Sequence, residues 1–222
     1  MAVALVQAGG STGNGYSSAS SLTISLTVTA GANLLRAQAA HAGAANLTIS
    51  GITYNGVALT QVVEASTTNG STYIRTGMWA LQNPPTGTAY NLVVTFSGSD
   101  TGLALGWDTW SGFDHFGTPS TNSVSANTVN PSVTVTDWAT GDYAIGAVAA
   151  NWTTVTAADT QNFYIADNAG CELSGVYQTA DGALNWTSAL GVWGCVGVSL
   201  KPAAGGSSVM PIIANHNMRR RA

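Results

Sequence analysis

The sequence predicts an all-β protein, a single antiparallel β-sandwich or jelly roll, and three observations carry that prediction. Nearly every patterned segment alternates apolar and polar residues with period two, the mark of half-buried strands. These runs are rich in Thr, Val and aromatic residues, which strand sites prefer. Turn signals built on Gly, Pro and Asn separate the runs at roughly 8–12-residue intervals, the spacing of sandwiches and barrels.

The strands follow in order. A first run covers 3–8. "LTISLTVTA" (22–30) sets Leu22, Ile24, Leu26 and Val28 against Thr23, Ser25, Thr27 and Thr29. "LLRAQAAHAGAA" (34–45) and "YAIGAVAANW" (143–152) are Ala-rich, and Ala is the best helix former. Neither carries a convincing N-cap with an apolar stripe, and Gly interrupts both. They read as central strands whose small side chains admit a close second layer, with a helix at 34–41 as the alternative. Runs at 48–54 and 57–64 flank Asn55-Gly56, a type I′ hairpin signal because both turn residues need positive φ. Runs at 73–81 and 89–96 flank "NPPTGT", where Pro84-Pro85 stops one strand and Gly87 frees the next. Further strands are expected at 102–110, 131–138, 142–150, 162–166, 172–179 and 193–201. Between them, 112–131 reads as a polar excursion or exposed loop. One domain is expected over 1–202, with 203–222 a Gly/Ser spacer and a terminal peptide.

Charged residues make up 7% of the chain, where about 25% is ordinary. The hydrophobic fraction is 45%, so Ser, Thr, Asn, Gly and Ala have replaced charge. That is a folding composition, since disorder needs low hydrophobicity and high net charge. Soluble monomers normally carry mixed surface charge, whereas interface cores are depleted of it. The expectation is a surface covered by neighbouring copies; an extracellular module kept soluble by hydroxyls and amides is the alternative.

"MAVALVQAGG" lacks a basic start and a full apolar region, so no signal peptide is expected. No apolar run approaches the length of a membrane span, and no membrane partner is expected. Cys171 and Cys195 sit beside strand-like runs. They could form a disulfide between adjacent strands, but two buried thiols are favoured, because a chain made in the cytosol seldom carries a structural disulfide.

Chemistry-bearing residues are sparse. Asp114 and His115 in "GFDHFG" are adjacent in a loop and point apart, and no G-x-S-x-G elbow accompanies them. The ten acidic residues are scattered, mostly as turn-type Asp, so no catalytic residue is assigned and the protein is read as no enzyme. The sequence lacks C-x-x-C, H-x-x-x-H and D-x-D-x-D-G, so neither metal nor other cofactor is expected. Of the seven tryptophans, Trp107 and Trp110 face opposite ways and Trp79 and Trp193 belong to core strands. Trp152 ("NWTT") and Trp186 ("NWTS") stand beside loops as the expected exposed pair. They support an alternative function, a glycan-binding adhesin using those indoles and loop 112–131 on host-surface sugars.

Several phrases resemble a β-sandwich module that recurs in tailed-phage virion proteins and some bacterial surface proteins. "GITYNGVALTQV" (51–62) is similar to its early hairpin and "MWALQNPPTGTAYNLVVTFSG" (78–98) to the following strand pair. "WSGFDHFGTP" (110–119), "GDYAIGAVA" (141–149), "GVYQTA" (175–180) and "WGCVGVSLKPA" (193–203) resemble its later strands. The shared residues are turn formers and core positions, so the resemblance implies a scaffold and brings no catalytic residue. It implies capsid decoration, tail, fibre or adhesion roles and location in a virion, with other copies and other virion proteins as partners.

Within 1–217 there are three basic residues, Arg36, Arg75 and Lys201, against ten acidic ones, a net charge of −7. After the spacer come Met210, Pro211, Ile212 and Ile213, then Arg219, Arg220 and Arg221. An apolar tag followed by a cationic one is expected to dock on an acidic patch of a neighbouring copy. Three arginines beside an acidic body are a weak nucleic-acid footprint, and none is expected as partner.

Overall fold

The computed structural model describes residues 2–11, 17–151, 153–166 and 170–203, and those residues form an all-β structure of four antiparallel sheets. A five-stranded sheet runs β1 (Ala4–Ser11), β9 (Leu103–Ser111), β3 (Leu34–Gly43), β7 (Thr72–Gln82), β6 (Thr60–Asn69). A six-stranded sheet runs β10 (Phe113–Phe116), β18 (Gly191–Pro202), β13 (Tyr143–Asn151), β16 (Cys171–Gln178), β15 (Thr160–Ala166), with β11 (Ser120–Thr128) also on β18. A four-stranded sheet runs β2 (Ala19–Thr27), β8 (Ala89–Asp100), β4 (Ile49–Tyr54), β5 (Val57–Ala58), and a small one runs β12 (Ser132–Thr134), β17 (Ala183–Ser188), β14 (Val155–Ala157).

The sheets stack in four layers, because alternate side chains of each inner strand enter different cores. Leu34, Ala40, Met78 and Trp110 meet Ile145, Phe163, Leu173 and Val196 in the central core between the five- and six-stranded sheets. On the other face of the five-stranded sheet, Leu35, Ala37, Trp79 and Leu105 pack on Leu22, Leu26, Ile52, Leu92 and Val94 of the four-stranded one. On the other face of the six-stranded sheet, Ala144, Val148, Trp193 and Cys195 pack on Val133, Leu184 and Trp186. A two-layer sandwich is thus extended by an outer sheet on each side.

Inner strands therefore have no solvent face. All side chains of β3 from Leu34 to Ala42, and of β13 from Ala144 to Ala150, are buried. Close layer spacing demands small residues. Gly106 and Gly175 lie on either side of the Phe163 ring, and a Cβ on either would strike it. The Ala-rich segments are strands, and the helix alternative at 34–41 does not occur. Asn55 and Gly56 have φ of 52° and 74°, closing the Tyr54–Val57 pair with the primed turn their sequence demands.

Three expectations about strands are corrected. The segment 112–131 is not a loop: it forms β10 and β11, which follow one another along one edge of β18. β11 is a mostly exposed edge strand, held by main-chain pairing, so it shows no apolar alternation. The run at 131–138 keeps only three strand residues, and β14 and β17 lie where no strand was expected. The run at 57–64 is split at Leu59, where the chain passes between sheets: the Leu59 N–H prolongs the β4–β5 ladder by bonding Ile52 O at 2.9 Å, while Thr60 pairs with Ala80 of β7. The favoured reading of the cysteines agrees with the structure, and the disulfide alternative does not occur: Cys171 and Cys195 are both buried thiols, on strands either side of β13. Their side chains enter different cores, on opposite faces of the sheet, so they cannot meet.

Candidate functional site

With so few ionisable groups, their placement is informative. The three basic residues described are all engaged inside the protein. Arg36 is paired with Asp108, Arg75 with Glu64, and Lys201 with Asp142. Lys201 also donates to Asp137 O, while Asp137 accepts from Ser199 Oγ at 2.9 Å, tying the 137–142 turn to β18. His41 on β3 meets Asp100 on β8 at 3.0 Å, bridging the five- and four-stranded sheets. Burial holds His41 below the ordinary imidazole range, against the opposing pull of Asp100. The Asp100 carboxyl is pushed up by burial, but bonds from His41 and Thr101 bring it below its usual value.

The most buried of these groups form a network in the central core. Arg36 and Asp108 are neighbours across β3 and β9, both with fully buried side chains. Arg36 Nε donates to Asp108 Oδ1 at 2.8 Å and Nη2 to Oδ2, a bidentate pair. Trp110 Nε1 donates to Oδ1 at 2.6 Å, and Asn162 Nδ2 donates to Oδ2 from the facing sheet. Asp108 thus accepts four donors, which is what makes an ionised carboxylate tolerable there.

Trp110 leads from this network to the surface. Its indole meets Tyr143 edge-on at 5.2 Å and Tyr177 at 5.5 Å, and the two tyrosine rings lie 5.9 Å apart at 41°. The register explains the pair. Tyr177 lies opposite Ile145, so Tyr143, two residues earlier on the same face, is its diagonal neighbour. Both tyrosines are half-buried, and neither hydroxyl has a hydrogen-bond partner among the described residues. They form one wall of an open cleft of about 560 Å³, completed by Asp159, Thr160, Gln178 and Thr179.

Asp159 supplies the cleft's charge. Its Oδ2 accepts the Asn185 N–H at 2.7 Å, leaving Oδ1 without a partner among the described residues. Burial raises its carboxyl above the usual range, and the neighbouring Asp181 charge adds to this, against the Asn185 bond. The Gln178 amide N–H groups go to Asp181 and Ala183 O, so that side chain is spent holding the 178–183 turn. No Lys, Arg or His lines the cleft.

The residues singled out from sequence fall elsewhere. Asp114 and His115 do bond, at 2.8 Å, but at side-chain exposures of 54% and 62% they stand on the surface, where Gln82 Nε2 reaches only the Asp114 main-chain oxygen, at 3.3 Å. Trp186 is 1% exposed and plugs the core under the small sheet, so its indole presents no face to a sugar. Its position after Asn185 is on β17, not in a loop, and alternation turns it inward. Trp152 lies outside the described residues, as do Met210, Pro211, Ile212, Ile213, Arg219, Arg220 and Arg221. Burial pushes the Cys195 thiol up to about 12, leaving it unreactive at neutral pH. No group of three or more His, Cys, Asp or Glu able to hold a metal occurs among the described residues. Sequence reasoning missed Tyr143, Tyr177 and Asp159. Their only signal is a tyrosine at the end of each of two inner strands, in "GDYAIG" and "GVYQTA".

Comparison with protein-family models, with curated proteins and with solved structures gives no match.

Proposed function

We propose that the protein is a non-enzymatic structural subunit that assembles with copies of itself, as the resemblance to tailed-phage virion modules implies. The observation that carries this is β2. It is a nine-residue strand at the end of the four-stranded sheet, "ASSLTISLT", with no charge and no proline. Exposed edges normally carry Lys, Pro, bulges or short length to prevent pairing with another chain; the β2–β8 ladder has one register shift, between Ala19 and Ser21, and the seven residues from Ser21 to Thr27 run regularly with none of these devices. Charge is also missing from the outward faces: Thr23, Ser25, Thr27, Asn91 and Thr95 on one outer sheet, Thr134, Asn185, Thr187 and Thr156 on the other. The four-layer interior accounts for part of the low charge, since inner strands have no solvent face to carry it. The outer strands are free of that constraint, yet Asp100 at the end of β8, turned inward to His41, is the one charged residue they carry.

On this reading, capsid decoration, tail or fibre are the roles within a phage-like particle, and neighbouring copies pair along uncharged β-surfaces. The test is the native mass of the purified chain over a concentration series. An oligomer or filament that dissociates when Thr23→Lys and Ser25→Lys are introduced supports the proposal; a monomer at all concentrations overturns it.

A further inference from the structure

We infer that the Tyr143–Tyr177–Asp159 cleft is the docking site for the arginine run Arg219–Arg221 of a neighbouring copy. The inference rests on the assembly reading above and names the contact through which the chain's last residues take part in it. Three features of the cleft select a guanidinium. It is walled by two tyrosine rings inclined to each other and braced by Trp110, and a flat cation stacks on such rings. It holds a carboxylate with one oxygen, Asp159 Oδ1, that has no partner among the described residues, beside a second carboxylate, Asp181. It has no cation of its own to neutralise them.

Charge complementarity points to the occupant. Arg36, Arg75 and Lys201 are each committed to an acid within the fold. Arg219, Arg220 and Arg221 are the remaining Lys or Arg residues of the chain.

The position at which the described chain stops is also favourable. Leu200 lies directly opposite Tyr143 in the six-stranded sheet, and the described residues end three positions later at Ala203. That is about 10 Å along a strand. From there, residues 204–218 span at most about 50 Å when extended, enough to cross to the same cleft on an adjacent copy. In a pair of copies each would receive the other's arginines, an exchange compatible with two-fold symmetry.

The experiment uses the full chain with Arg219, Arg220 and Arg221 all changed to Ser as the receptor. A synthetic peptide of residues 213–222 is the probe, followed by calorimetry. Expected is saturable binding that weakens roughly tenfold or more in Asp159→Asn/Asp181→Asn and in Tyr177→Ala receptors, and that falls with added salt. The Asp pair is conservative and partly exposed, so it remains informative if Tyr177→Ala disturbs folding. No binding, or binding undiminished in both cleft variants, overturns the site. A glycan-array signal abolished by Tyr177→Ala overturns it too, by giving the cleft to a sugar. If the triple-Ser chain keeps the native mass of the wild type, the exchange between copies is refuted. Should the wild type be monomeric while the peptide still binds the cleft, the docking site stands and the assembly reading falls.

Discussion

Along β2, Leu22 and Leu26 face a core while Thr23, Ser25 and Thr27 face solvent; along β13 every side chain from Ala144 to Ala150 is buried. Both are antiparallel strands of similar length, yet they obey different rules. An outer strand needs one apolar face, and its other face is free to be polar. An inner strand must satisfy two cores at once, so alternation vanishes and side-chain size becomes the controlled variable. Ala and Gly dominate β3 and β13 because two layers press on each. The lesson is that a low-charge composition has two sources here, inner sheets without any solvent face and outer sheets whose solvent face avoids charge.

The largest expected effect lies in the inner layer. Arg36→Met leaves the buried Asp108 carboxyl without its cation, and breaking a buried ion pair in this way costs about 3–5 kcal/mol. A denaturant titration reads this as a lowered midpoint. The double change Arg36→Met/Asp108→Asn is expected to recover part of the loss, and a single change as mild as a surface substitution would break the contrast between layers.

Next comes packing. A Cβ on Gly146 of β13 would meet Val196 O at 2.5 Å and Leu184 Cδ1 at 2.6 Å. Gly146→Ala is therefore expected to cost about 1–3 kcal/mol by overpacking, measured by thermal or chemical unfolding. A neutral result would mean that the six-stranded and small sheets are less tightly apposed than described.

A pH effect tests the joint between an inner and an outer sheet. Burial keeps His41 below its ordinary 6.5, so the unfolded chain binds a proton before the folded one does. Stability from neutral His41 is complete above about pH 6.5 and is lost as pH falls through the lower folded value. Unfolding measured from pH 7.5 to 5 should show stability declining with acid, with a flatter slope in His41→Gln. Asp100, held below its usual value, adds its own loss only at still lower pH.

The smallest effect is expected outside. Thr23→Val changes a solvent-facing hydroxyl on β2 and should alter stability of the isolated chain by no more than about 0.5 kcal/mol. A large loss would show that β2 is not a free outer strand.

These contrasts also explain which parts of the fold could be read in advance. The outer strands β2 and β8 announce themselves by alternation, and the β4–β5 hairpin by Asn55-Gly56. The inner strands β3 and β13 were legible through the absence of helix signals and the smallness of their residues. β11 was illegible, because an exposed edge strand such as "STNSVSANT" is fixed by the main chain of β18 and needs no apolar pattern. The site was harder still. Arg36 and Asp108 are separated by 72 positions, and Asp108 and Asn162 by 54, so only strand register brings the first pair together and only sheet stacking the second. Asp114 and His115, adjacent and conspicuous, proved to be a surface pair. Trp186 follows the period of its strand inward, which a strand hidden in a presumed loop concealed.

The central claim is that the uncharged outer surface is covered by other copies while the inner sheets are sealed by the fold itself. Amide hydrogen exchange measured at low and high protein concentration tests it strand by strand. The account predicts that β2 amides gain protection as concentration rises while β13 amides exchange equally slowly throughout. β2 exchanging at one unchanged fast rate across that range would contradict it.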